Sequence, residues 1–269
     1  MLTEATFGQY LPADSRIHRL DPRLKLLALI YTIVMIFVGS NRYGLVFSLF
    51  FVVLTMVFSK IPLRMYLRNL KVVLPILVFT GLINMFYVSG ADVIAHFWIF
   101  TLTKQGIYRA VFMATRVCLL ILISAVLTYT TTPNDLTDAI EQLCMPLKHI
   151  GLGSAVHTLT MMMTIALRFI PTLIEETGRI MNAQKARGAD LETGGVVKRV
   201  KVLIPILVPL LILSIRRAYE LADAMECRCY NGGIGKQRMK QLRFSLCDLA
   251  AAVILILYGS GVITLNLVF

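Results

Sequence analysis

Long apolar runs separated by clusters of lysine and arginine constrain this chain more than any other feature. Five runs span Leu24 to Ser40, Gly44 to Phe58, Val72 to Val88, Ile107 to Tyr129 and Leu246 to Val268. A hydrocarbon core about 30 Å thick takes roughly 20 helical residues, so the second run borrows flanking residues such as Tyr43 and Ile61. With 57% hydrophobic and only 16% charged residues, the 269-residue chain is too apolar for a soluble domain. It is expected to be an all-α integral membrane protein with about five transmembrane helices.

The net charge of +12 would suit nucleic-acid binding, but its distribution has a topological origin. Five spans put Arg16, Arg19, Arg23 and Lys25 on one side, with Lys60, Arg64, Arg68 and Lys71 and then all 15 cations from Lys148 to Arg243. The other side keeps only Arg42 and Lys104, while Arg109 and Arg116 fall within the fourth span. Such asymmetry marks the cation-rich side as cytoplasmic. The N-terminus is then inside and the C-terminus outside.

Two further apolar runs, Ser154 to Leu167 and Val202 to Ile215, compete as spans. If both crossed, Arg168, Arg179, Lys185, Arg187, Lys198, Arg199 and Lys201 would be exported. If only the second crossed, Arg216 to Arg243 would be. Both outcomes break the charge bias, so these runs are expected along the inner membrane face or against other proteins. The chain accordingly reads as residues 1–129 with four spans, a cytoplasmic helical region at 130–245, and a last span at 246–269.

Local punctuation sets the helices of that region. Thr132 is placed as an N-cap with Pro133 at the first helical position, and Pro146 and Gly151 close a short helix. A long helix runs from about Ser154 to Arg187 with a bend at Pro171, and Gly188 is suited to a positive-φ exit. Another runs from about Val196 to Arg228, between Gly194-Gly195 and Gly232-Gly233. Near its end Glu220, Asp223 and Glu226, close to Arg216 and Arg217, form an expected wetted stripe opposite Leu221 and Met225. Both helices end in similar motifs, A-Q-K-A-R-G at Ala183 to Gly188 and A-M-E-C-R-C at Ala224 to Cys229. A solvated helix face explains the carboxylates but not two similarly framed terminal arginines. A guanidinium, permanently charged and forked, suits docking into an acidic groove of a partner.

The opening carries a second signature: Gly8-Gln9-Tyr10, then H-R-L-D-P-R-L-K-L-L from His18 to Leu27. Asp21-Pro22 can start the first span, with Arg23 and Lys25 as headgroup anchors and His18 as a local hydrogen-bonding residue. Together with A-L-R-F-I-P at Ala166 to Pro171 and the paired A-x-x-x-R motifs, this opening resembles the transmembrane T component of energy-coupling factor transporters over nearly the whole chain. The resemblance implies that Ala186, Arg187 and Gly188, and Cys227, Arg228 and Cys229, are the coupling motifs of two helices that engage two ATP-binding-cassette ATPases. Cys229 stands where the family's second motif often has Gly. The resemblance further implies a substrate-binding S component as partner, or several exchangeable ones, in a bacterial cell membrane. ATP and magnesium would be bound by the ATPases and no cofactor by this chain, which lacks a G-x-x-x-x-G-K-[ST] phosphate loop. Met161, Met162 and Met163 offer an adaptable surface for the S component, with ordinary helix packing as an equal alternative. The opening favours a shared vitamin-uptake module over a dedicated cobalt or nickel importer.

No metal site is expected. Cys227 and Cys229 have neither a second pair nor a nearby histidine, and His18, His96, His149 and His157 show no ligand spacing. The spans show neither the repeats of a self-contained secondary transporter nor the carboxylate, histidine or cysteine cluster of a membrane enzyme. Arg116 is expected to contact the cytoplasmic region or an acidic group. Gly39, Ser40, Gly44, Gly259, Ser260 and Gly261 allow close helix approach, and Phe97, Trp98 and Phe100 suit a membrane interface.

Overall fold

The computed structural model describes residues 10–87, 93–97, 100–146, 153–188, 196–231 and 244–268. Its helices are α1 (Pro22–Val38), α2 (Arg42–Ser59), α3 (Leu63–Tyr87), α4 (Lys104–Thr130), α5 (Pro133–Cys144), α6 (Gly153–Ala186), α7 (Val196–Glu226) and α8 (Leu246–Val268). An antiparallel hairpin, β1 (Val93–Phe97) with β2 (Phe100–Thr103), joins α3 to α4. The fold is otherwise helical, as expected. The hairpin is the local departure: nine residues that the hydropathy pattern treats as a loop pair as strands. Trp98, His149, Gly8-Gln9, Gly151, Gly194-Gly195 and Gly232-Gly233 lie outside the described residues.

Among the described residues five helices are long and apolar enough to cross a membrane: α2, α3 over Leu63–Asn84, α4, α6 and α8. The number matches the sequence reading, but the membership does not. α1, at 17 residues, is about 26 Å long at 1.5 Å per residue, just short of the hydrocarbon core. α6 qualifies because its apolar run continues into one helix of 34 residues. α3 starts nine residues before the expected Val72, so Arg64, Arg68 and Lys71 lie on its first turns.

The chain forms two compact units, one on Ile140–Lys240, the other on Gly8–Ala139 and Gln241–Phe269. In the second unit helix starts follow the punctuation. Asp21 caps α1 by accepting the Arg23 N–H at 2.9 Å, with Pro22 beside it. Thr132 Oγ1 accepts the Asp135 N–H at 3.1 Å, the expected N-cap bond, and donates to Asp135 Oδ2 at 2.8 Å. The turn between α1 and α2 is tight because Gly39 and Gly44 approach so closely that a Cβ on Gly44 would sit 3.4 Å from Gly39 Cα. Ile36, Leu45, Val52, Leu119 and Ile123 form the core shared by α1, α2 and α4. α8 docks through Tyr258, which stacks on Phe51 at 4.1 Å and donates to Ser48 Oγ at 2.8 Å.

Two cations behave differently from the sequence expectation. Lys25 is not a headgroup anchor: it is only 7% exposed, and its Nζ donates to the carbonyls of His18 at 3.1 Å and Thr130 at 3.0 Å. Among the described residues Arg116 meets no carboxylate: its Nη2 donates to the Gly39 carbonyl at 2.9 Å, and the guanidinium lies over the rings of Phe112 and Phe37. One physical reason covers both. Thr130 ends α4 and Gly39 caps α1, and helix C-termini carry carbonyls without intrahelical partners and a partial negative charge, which a buried cation can satisfy.

Candidate functional site

The unit on Ile140–Lys240 is organised by α6 and α7. Pro171 lies inside α6, and Pro205 and Pro209 inside α7. Each proline removes an amide donor, so these positions are where the helices can bend. The helices run antiparallel: Arg217 of α7 lies 3.9 Å from Glu176 of α6, while Tyr230, just past α7, donates its hydroxyl to Met161 Sδ, 2.9 Å away near the start of α6. The C-terminal tips of α6 and α7 therefore lie at opposite ends of the pair. From Met161 to Arg187 is roughly 40 Å of helix.

At both tips the backbone performs the same exit. Arg187 and Arg228 are exposed and occupy the cap position. Gly188 follows at φ 85° and donates its N–H to Lys185 O at 3.0 Å; Cys229 follows at φ 54° and donates to Glu226 O at 2.9 Å. Tyr230 N–H then reaches Met225 O at 3.1 Å, completing the paired bonds of a Schellman motif at the second tip. Cysteine thus adopts the left-handed conformation that glycine takes at the first tip. The departure in sequence does not alter the turn.

The exit presents each guanidinium beyond the last helical turn. Arg216 pairs loosely with Glu220 at 3.8 Å, both largely exposed, so the stripe with Asp223 and Glu226 is wetted as expected. Arg217 instead turns to Glu176, three-quarters buried on each side. The methionines divide by role: Met161 packs toward Tyr230, whereas Met162 and Met163 are 59% and 47% exposed. Leu159 on α6 and Leu207, Leu211 and Ile212 on α7 are exposed as well. Ala186, Cys227 and Cys229 are exposed beside the arginines, and the cysteines are free thiols. Among the described residues no group of three His, Cys, Asp or Glu is placed to hold a metal ion.

Sequence reasoning did not find the Arg217–Glu176 contact. The only hint was that Arg216 and Arg217 are adjacent, so both cannot face the same solvated stripe.

The cobalt transport protein family model, CbiQ, matches residues 13–241. A protein of Ruminiclostridium cellulolyticum named energy-coupling factor transporter transmembrane protein EcfT is 46% identical over 269 residues, covering all of both chains. The chain belongs to this family of transporter T components. Proteins with the same name from Clostridium kluyveri, 46% identical over 94% of this chain and 93% of its own, and from Lactococcus lactis subsp. cremoris, 41% identical over 93% of each, agree along the whole length. The T component is thus a multi-pass membrane protein of a transporter. The two arginine tips differ in their neighbours but share one backbone geometry within it.

Proposed function

We propose that this T component transmits the ATP-driven motion of two ATPase subunits to a substrate-binding S component, for uptake of vitamins or related micronutrients. The observation that carries this reading is the pair of exposed arginines at opposite ends of one antiparallel helix pair. Two identical or similar partners could each receive one tip, and motion at either tip would bend or tilt the intervening helices. Ala186, Arg187 and Gly188 make one contact, and Cys227, Arg228 and Cys229 the other. Met162 and Met163 with the adjoining apolar faces of α6 and α7 receive the S component, Met161 supporting them through Tyr230. ATP and magnesium belong to the ATPases, and the chain itself is non-catalytic. The cation bias supports cytoplasmic placement of the tips and of the N-terminus, with the C-terminus outside. α6, although apolar enough to cross, then lies at the inner face because it carries Arg168 near its middle, Arg179 and Lys185 in its second half, and Arg187 at its cap.

The name of the matching family model favours one alternative, a dedicated cobalt importer. Affinity purification in mild detergent followed by mass spectrometry separates the two. Several different small membrane proteins accompanying two ATPases support the shared module, and one fixed set supports the dedicated one. For the tips, Arg187→Glu combined with Arg228→Glu is expected to abolish ATPase co-purification and uptake while the chain stays membrane-inserted. Normal uptake by that double variant would remove the assignment.

A further inference from the structure

The chain leaves the unit of α1, α2, α4 and α8 at Ala139, within α5, and re-enters it at Gln241, shortly before α8. Exit and return are both tied to the start of α1. On the exit side, Lys25 Nζ donates to the carbonyl of Thr130, the last residue of α4, at 3.0 Å, and faces the carboxylate of Asp135 on the first turn of α5. On the return side, the Asp21 N–H donates to Asp248 Oδ1 at 2.8 Å, and the Ser245 N–H donates to Asp248 Oδ2 at 2.7 Å. The Arg23 guanidinium lies over the Phe244 ring, 5.5 Å from its centre.

Lys25 joins the two sides, because it faces Asp21 and Asp248 as well as Asp135. Its ammonium, on a residue only 7% exposed, holds three carboxylates near one another against their mutual repulsion, with Arg23 at 4.0 Å from Asp21 as the second cation. The surroundings strengthen this hold. α1 and α2 touch at Gly39 and Gly44 and part toward their other ends around an apolar cavity of about 530 Å³, and Lys25 and Thr130 line it. Charges beside such a space attract more strongly than in water, and pulling them apart would strand a buried charge. α5 itself is a continuous helix from Pro133 to Cys144, so a displacement at its far end reaches Asp135 with no loop to absorb it.

We propose, resting on the coupling function, that Lys25 is a positioning residue of that coupling. It binds the exit at α4 and α5 and the return at α8 to the start of α1, so that a displacement of α6 and α7 reaches α4 and α8 together. Without its charge the carboxylates separate, and the displacement is spent in parting the two sides.

The test compares hydrogen exchange with and without ATP and magnesium in the complex purified in mild detergent with its co-purifying subunits. In the wild type, ATP is expected to alter exchange at the tips, at Gly188 and Tyr230, and also in residues 126–130 of α4 and 246–250 of α8. Lys25→Gln, which keeps hydrogen-bond donors but not the charge, should leave the ATP-linked change at the tips and reduce that in α4 and α8 roughly fivefold. If that variant does not assemble, Asp135→Ala, at a half-buried position, removes the exit-side carboxylate and is read in the same way. A residue serving stability alone would raise exchange without nucleotide and leave the ATP-linked difference in place, which would overturn the proposal. Loss of the response at the tips as well, or a wild type that responds at the tips but not in α4 and α8, would also overturn it. No response at the tips of the wild type would instead remove the coupling function, and the proposal with it.

Discussion

Arg187 and Arg228 depend on the residue that follows each of them. Leaving a helix through a left-handed residue satisfies carbonyls of the last turn, and glycine does so without the Cβ clash that raises the energy of every L-residue there. Gly188 follows that rule, whereas Cys229 takes φ 54° with a side chain. Cys229→Gly is therefore expected to stabilise the tip of α7 by up to about 1 kcal/mol, seen as slower hydrogen exchange at the Tyr230 amide with uptake retained. Faster exchange would show that the side chain, not the turn, holds this tip. Gly188→Val should act in the opposite direction at α6 and weaken coupling. The motif and its exit were legible because both are written within six consecutive residues. The equivalence of cysteine and glycine was not, since a left-handed cysteine is an exception that local propensity argues against.

Among the elements, α8 shows how a span is fixed by small residues as much as by apolar ones. Its hydropathy suffices for a span, but its place against α1 and α2 comes from Tyr258 on Phe51 and from two glycines where rings lie too close for a side chain. A Cβ on Gly259 would overlap the Tyr31 hydroxyl, and one on Gly261 would meet Phe47 Cε1 at 2.9 Å. Gly259→Val is expected to destabilise the protein by about 1–3 kcal/mol through overpacking, measured as a lower thermal midpoint in detergent. Tyr31→Phe in the same background should recover part of the loss, and no change in midpoint would place Tyr31 elsewhere. The glycines were legible as sites of close approach. Their partners were not, because a small residue tells that something comes near without telling what. The β1–β2 hairpin escaped the reading for a related reason: two strands of five and four residues give too little alternation to stand out beside long apolar helices.

For the whole molecule, assembly of the unit that carries α1, α4 and α8 rests on polar contacts between chain segments that are distant in sequence. Asp248, 2% exposed, accepts two backbone N–H groups, one of them from Asp21, 227 residues away, and Lys25 closes the end of α4 through Thr130, 105 residues away. Asp248→Ala leaves the buried Asp21 N–H unpaired and removes the cap on the exposed Ser245 N–H, and it is expected to cost about 2 kcal/mol, detected as loss of complex stability and faster proteolysis of the segment before α1. Wild-type resistance would mean that the helices hold this end unaided. The sequence by itself determined the membrane class, the helix starts at Asp21 and Thr132, the long α6 and α7, and the twin arginine tips. Each of these follows from hydropathy, caps or charge bias, and so from residues close together in the chain. Only the tertiary structure decided that Lys25 is buried, that Arg116 meets a carbonyl, that Arg217 turns to Glu176, and that α1 and α2 part around a cavity. Those outcomes depend on which helix ends are brought together, and a buried cation takes whatever unpaired acceptor packing places within its reach.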